Sequence, residues 1–206
     1  MNRNFVTNAT SINYRLITPT LSSVSIGGYL RTEQRGRARY VFTMSYPIMT
    51  YGEYESVWEE FLDEFDRSLV PVLTSFNTGH TYFNGGWDTE DTPTVTNHSG
   101  NQVTLNNFTP STADVVKAGD WIQFDSDQAV FQATRDANST SSGNATIYLN
   151  KDPVKTFGSG TTITRGADVE FNFFLPKLPE VMTFQGPDGT IRYKIGDIKL
   201  QEVRTQ

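Results

Sequence analysis

From Gly36 to Tyr46 the chain alternates with period two. Ala38, Tyr40, Phe42, Met44 and Tyr46 hold the even positions, and Arg35, Arg37, Arg39, Thr43 and Ser45 the odd ones, with Val41 the single apolar exception. Strand side chains point alternately to opposite faces, so this stretch predicts a strand with one apolar and one basic face. Pro47 ends it, because proline cannot donate to a strand ladder. Immediately afterwards the period changes to that of a helix: Tyr54, Val57, Trp58, Phe61, Leu62 and Phe65 fall on one stripe. Thr50 and Glu53 have capping-box spacing, and Met49 can staple onto Tyr54. The pattern therefore predicts a helix from Tyr51 to about Asp66, with its aromatic stripe on the sheet that contains Tyr40, Phe42 and Met44.

The rest of the chain reads as strands and turns. Short runs at Tyr14–Ile17 and Leu21–Ile26 predict an arm with one or two strands, and Leu69–Phe76 another. Thr94–Asn97 and Gln102–Asn106 flank His98-Ser99-Gly100 as a hairpin. Trp121–Phe124, Ala129–Thr134, Ala145–Leu149 and Thr161–Thr164 follow as short strands. Alternation returns at Val169, Phe171, Phe173 and Leu175, and again at Ile191, Tyr193 and Ile195, with Gly186-Pro187-Asp188-Gly189 turning between them. Ile198–Val203 closes the series. Aromatics make up 13% of the chain, and these residues favour strands. The expected fold class is mostly β: a sandwich- or barrel-like body with one amphipathic α-helix and a small inserted β module. The expected division is a body of 1–80 and 165–206, interrupted by a module of 81–164.

Charge and chemistry narrow the function. The net charge is −6 and the pI about 4.9, a poor match to sequence-neutral phosphate binding. All of the net charge is accounted for between Thr50 and Arg67, where Glu53, Glu55, Glu59, Glu60, Asp63, Glu64 and Asp66 face one Arg67. No cysteine is present, which excludes disulfides, thiolate metal sites and cysteine catalysis. No run approaches the roughly 20 apolar residues of a membrane span, so membrane insertion is not expected. The start, Met1-Asn2-Arg3-Asn4-Phe5, has no apolar signal core, so the sequence gives no sign of secretion. Sequons begin at Asn8, Asn97, Asn107, Asn138 and Asn144, as chance alone would give in so Asn/Thr-rich a chain.

The two histidines, His80 and His98, lie in no metal-ligand spacing, and no nucleophile-elbow or phosphate-loop pattern occurs. They read as polar loop residues. Asp88-Thr89-Glu90-Asp91 and Asp125-Ser126-Asp127 offer hard oxygen donors, but neither completes a calcium loop, and both read as solvated turns. Trp87 could stack on a sugar but reads first as a core or interface aromatic. No enzyme, cofactor or metal is expected. The candidate site is an assembly surface: Arg35, Arg37 and Arg39 on one strand face, possible companions in Arg15 and Arg31, and Glu59, Glu60, Asp63 and Glu64 on the helix. The arginines are either solvated edge charges that discourage aggregation or partners of those acids, in the same chain or a neighbour.

Three stretches resemble a known family. Arg35-Gly36-Arg37-Ala38-Arg39-Tyr40-Val41-Phe42-Thr43-Met44-Ser45-Tyr46-Pro47-Ile48-Met49-Thr50, followed by the acidic helix, resembles the N-terminal part of bacteriophage tail-tip proteins of the distal tail type. Ala118-Gly119-Asp120-Trp121-Ile122-Gln123-Phe124, Ala129–Asp136 and Ser142–Leu149 resemble a small β module that recurs in phage tail and capsid proteins. Asp168-Val169-Glu170-Phe171 onward resembles the closing strands of the tail-tip proteins. The resemblance implies a structural virion protein, ring-forming, at the junction of tail tube and baseplate, and the ring is expected to be a hexamer. Its partners would be itself, the tail tube protein and baseplate hub or tail-tip proteins. It transfers no catalytic residue. A head-to-tail connector or capsid-associated protein and a carbohydrate-binding receptor module at the tail tip stand as alternatives.

Overall fold

The computed structural model describes residues 8–24, 28, 30–34, 37–66, 72–74, 85–88, 90–125, 127–153 and 155–203. In chain order the elements are β1 (Ser11–Ile17), β2 (Thr20–Val24), β3 (Leu30–Gln34), β4 (Arg39–Ser45), β5 (Ile48–Met49), α1 (Tyr51–Asp66), β6 (Val72–Thr74), β7 (Thr94–Ser99), β8 (Gln102–Asn106), β9 (Trp121–Phe124), β10 (Asp127–Gln132), β11 (Ala145–Tyr148) and β12 (Ile163–Arg165). After a 3-10 turn at Gly166–Asp168 come β13 (Phe171–Phe174), β14 (Val181–Gln185), β15 (Ile191–Ile195) and β16 (Ile198–Glu202). The protein is mostly β, with one α-helix among the described residues. The chain divides into two compact units, Arg3–Val72 with Phe173–Val203, and Leu73–Asn172.

The first unit is built on a five-stranded sheet in the order β1-β4-β16-β13-β6. β4 lies between β1 and β16, with Tyr14 opposite Phe42 and Leu200 opposite Phe42 from the other side. Its even face is the predicted apolar one: Tyr40, Phe42 and Met44 are buried together with Ile198 and Leu200. Phe42 meets Phe173 edge-on at 4.8 Å. Val41, the exception in the alternation, is buried too. At the strand end the buried Glu202 carboxylate accepts the Tyr40 N–H at 2.9 Å, satisfying a donor that would be costly to leave unpaired.

A second sheet, β14-β15-β5, carries the helix. Only Thr50 separates β5 from α1, so the helix starts beside this sheet. Glu53 folds back at its start, where its Oε2 accepts both the Thr50 N–H (2.8 Å) and the Thr50 hydroxyl (2.9 Å). That is the reach-back half of the capping box. Val57 and Phe61 are fully buried, whereas Tyr54 and Trp58 are half-buried. The expected bed for the aromatic stripe is the sheet that includes Tyr40, Phe42 and Met44. The helix instead lies mainly along β15 and β5, and meets the end of β4 through Phe61 on Tyr46. On β15, Tyr193 offers a flat ring on which Tyr54 stacks. β2 and β3 form a separate two-stranded ribbon.

The second unit is a small barrel. Two three-stranded sheets, β10-β9-β12 and β11-β8-β7, enclose one core that includes Val103, Leu105, Ile122, Phe124, Phe131, Ile147 and Phe157. Their edges are joined. On one side Val95 donates to Thr161 O (2.9 Å) and Gly160 donates to Val95 O (2.8 Å). On the other, Thr134 donates to Tyr148 O (2.8 Å) and Asn150 to Gln132 O (2.9 Å). Closure removes free edges. The expected limits of 81 and 164 differ from the observed 73 and 172. β12 is the third strand of its sheet, and beyond it Gln123 bonds the backbone of Glu170 in both directions at 2.9 Å, which ties residues past 164 to the barrel.

Asp120, Asp136 and Gly143 serve this unit as turn and packing devices. Asp120 is fully buried, and its Oδ2 accepts the Lys117 N–H (2.7 Å) and Gly85 N–H (3.1 Å). Asp136 accepts the Ala118 N–H at 2.8 Å. Gly143 has φ +73°, and a Cβ there would run into the Phe108 carbonyl.

Candidate assembly surface

β4 also presents the basic face. Arg39 opens the strand half-buried, its Nε enclosed without a hydrogen-bond partner. Arg37 stands just before it, exposed. Cross-strand register adds two cations: Arg15 opposite Val41 and Lys199 opposite Thr43, both exposed. The face is therefore Arg15, Arg39 and Lys199, with Arg37 at its margin. Arg15 was anticipated. Lys199 was not, although it alternates with buried Ile198 and Leu200, because its placement depends on β16 pairing with a strand about 150 residues earlier. Arg35 and the side chains of Arg31, Asp63 and Glu64 lie outside the described residues.

On α1, Glu55 and Glu59 are exposed and Glu60 is half-buried. Burial raises the Tyr46 phenol, and the Glu60 charge adds to the rise. Glu60 is thus near the end of β4 in its own chain, whereas Glu59 and Glu55 stand on another flank. The bonds from the Thr50 N–H and hydroxyl hold Glu53 below the usual carboxylate range, with a smaller contribution from Arg192. Asp188, in the turn between β14 and β15, is lowered to about 2 by the Thr190 hydroxyl and N–H and by Arg192 at 3.0 Å.

The residues considered for chemistry serve the fold. His98 has Nε2 2.8 Å from Gly100 O and its ring 4.9 Å from Phe157. His80 lies outside the described residues. Asp91 accepts the Thr109 N–H (3.0 Å) and hydroxyl (2.9 Å), Asp88 accepts the Glu90 N–H, and Asp125 accepts the Thr162 hydroxyl. Among the described residues no three acidic or histidine side chains are grouped to hold a metal. Trp87 belongs to the barrel core, edge-on to Phe108 and covered by the Arg165 guanidinium at 4.6 Å. Burial of Arg165 lowers its pKa against the opposing pull of Asp91, Asp168, Asp88 and Asp120. No helix of the described residues is long and apolar enough to cross a membrane.

No family model matches the chain, and no curated protein matches its sequence.

Proposed function

We propose that the chain is a non-catalytic structural subunit of a phage tail, assembling as a homo-oligomeric ring, most simply a hexamer, at the junction of tail tube and baseplate. In the virion its neighbours would be copies of itself, the tail tube protein and baseplate hub or tail-tip proteins. The observation that carries the reading is charge segregation within one unit. The five-stranded sheet has a basic face of Arg15, Arg39 and Lys199, with Arg37 beside it, and the helix concentrates the acids. Surfaces of opposite sign on different sides of one body suit head-to-tail contacts, which close into rings. The resemblance to distal tail proteins, carried by the β4–α1 stretch, supplies the setting. The buried position of Trp87 lends no support to a sugar-binding tail tip.

Gold-labelled antibody against the chain, imaged on virions that carry its gene, tests the placement. Label at the tube–baseplate junction is expected. Label at the head-to-tail neck or on the capsid would overturn it in favour of a connector or capsid role.

A further inference from the structure

The sheet β14-β15-β5 has a second face that no element of the described chain covers. Register fixes its composition. Lys194 pairs with Met182 on one side and with Ile48 on the other, and Arg192 pairs with Phe184. Directly paired residues share a face, so Ile48, Met182, Phe184, Lys194 and Arg192 point together, away from the face on which Tyr193 receives the helix. Three are large apolar side chains left open: Ile48 is 56% exposed, Met182 51% and Phe184 38%. Lys194 is exposed, and Arg192 reaches sideways to Asp188. β14 is also an edge strand, and its sequence Val-Met-Thr-Phe-Gln carries no charge or proline to discourage a partner. Open apolar side chains framed by cations mark an interaction surface.

The same unit carries a complementary surface. Tyr51, Glu55, Glu59 and Leu62 follow i, i+4, i+8, i+11 and form one stripe along α1. All four are exposed, and the stripe has apolar ends and an acidic centre. The spacings agree. Four helical residues advance about 6 Å, and two strand residues about 6.6 Å, so Glu55 and Glu59 match Lys194 and Arg192 in separation. Ile48 and Met182 flank Lys194, and Phe184 flanks Arg192, on the neighbouring strands, so these open apolar side chains would pack along the sides of the seated helix.

We infer that the β14-β15-β5 face of one copy seats the Tyr51–Glu55–Glu59–Leu62 stripe of a second copy. The inference rests on the reading of the protein as a self-assembling ring and names the surfaces that meet. Each sheet is then enclosed by its own helix on the Tyr193 face and a neighbour's helix on the Lys194 face. Such a contact is heterologous, so it repeats head to tail. It leaves Glu60 and the basic face of β4 to other contacts. Apolar burial supplies most of the affinity, and the two charge pairs set orientation.

A charge swap tests it. Lys194→Glu and Glu59→Lys, each with an unchanged circular dichroism spectrum, are expected to weaken self-association about tenfold or more, read by sedimentation. The double variant Lys194→Glu/Glu59→Lys is expected to recover assembly. Met182→Ser, on a side chain already half open, should weaken it as well, while Lys155→Glu, in the other unit, should assemble like the parent. Single variants that assemble like a self-associating parent, or a folded double variant that does not recover, would overturn this pairing and leave the ring standing. A parent that remains monomeric at every concentration would overturn the ring reading for the isolated protein and this pairing with it.

Discussion

The rings of Tyr54 and Tyr193 lie face to face, centroids 4.5 Å apart and 11° from parallel. This stack joins the helix to β15. Tyr54→Ala and Tyr193→Ala should each cost about 2 kcal/mol, and a double-mutant cycle should return a coupling of about 0.5–1.5 kcal/mol. Phe61, 1% exposed, should cost about 3–5 kcal/mol as alanine. Half-buried Trp58 should cost less, about 1–2 kcal/mol. Chemical denaturation measures all four. A larger loss at Trp58 than at Phe61 would contradict the helix orientation.

Gly143 and Gly119 separate two reasons for glycine. Both have positive φ, +73° and +95°, where a side chain costs about 1–2 kcal/mol. Only at Gly143 would a Cβ also meet backbone, at the Phe108 carbonyl. Gly143→Ala should therefore destabilise the barrel by more than about 3 kcal/mol, and Gly119→Ala by about 1 kcal/mol. Equal losses in thermal unfolding would mean that the close approach of residues 108 and 143 is not maintained.

Asp188 should titrate at about 2 rather than the usual 3.8. Its folded pKa is the lower one, so the unfolded chain binds more protons between these values and stability rises with pH there. The contribution is complete above the ordinary carboxylate range and is lost as pH falls from 3.8 toward 2. Carboxyl carbon NMR of Asp188 checks the value, and Thr190→Val should move it upward. A titration near 3.8 in the parent would remove the turn's hydrogen bonds from the account.

The barrel has its own core and closed edges, so a fragment of residues 81–172 should fold alone and unfold cooperatively. A fragment ending at 164 should be weaker, because it severs β12 and loses the Gln123–Glu170 pair. Comparable stability of the two fragments would contradict the boundary at 172.

Much of the first unit was legible because its signals are local. The β4 alternation, the stop at Pro47 and the Thr50–Glu53 box lie within 20 residues and need no partner to be read. What was missed depends on pairing. β14 has no buried face to create alternation: Val181 is half-buried and Met182 to Gln185 are exposed. Periodicity therefore places the turn at Gly186–Gly189 directly after the strand near Leu175, whereas it joins β14 to β15. That omission also hid the face of Ile48, Met182 and Phe184. Lys199 and the barrel closure through Val95 and Thr161 are products of long-range register, which residue periodicity does not encode. The arginines at 37 and 39 could be found from sequence, but the cations beside them on neighbouring strands required the fold.

The most direct test of the central claim is the mass of the purified chain in solution, by native mass spectrometry at low salt with light scattering across a salt series. The account predicts a closed ring of six 23.1 kDa chains whose assembly weakens as ionic strength rises, because screening at about 1 M reaches to roughly 3 Å. A monomer at every concentration and salt, or an open-ended distribution of masses, would contradict it.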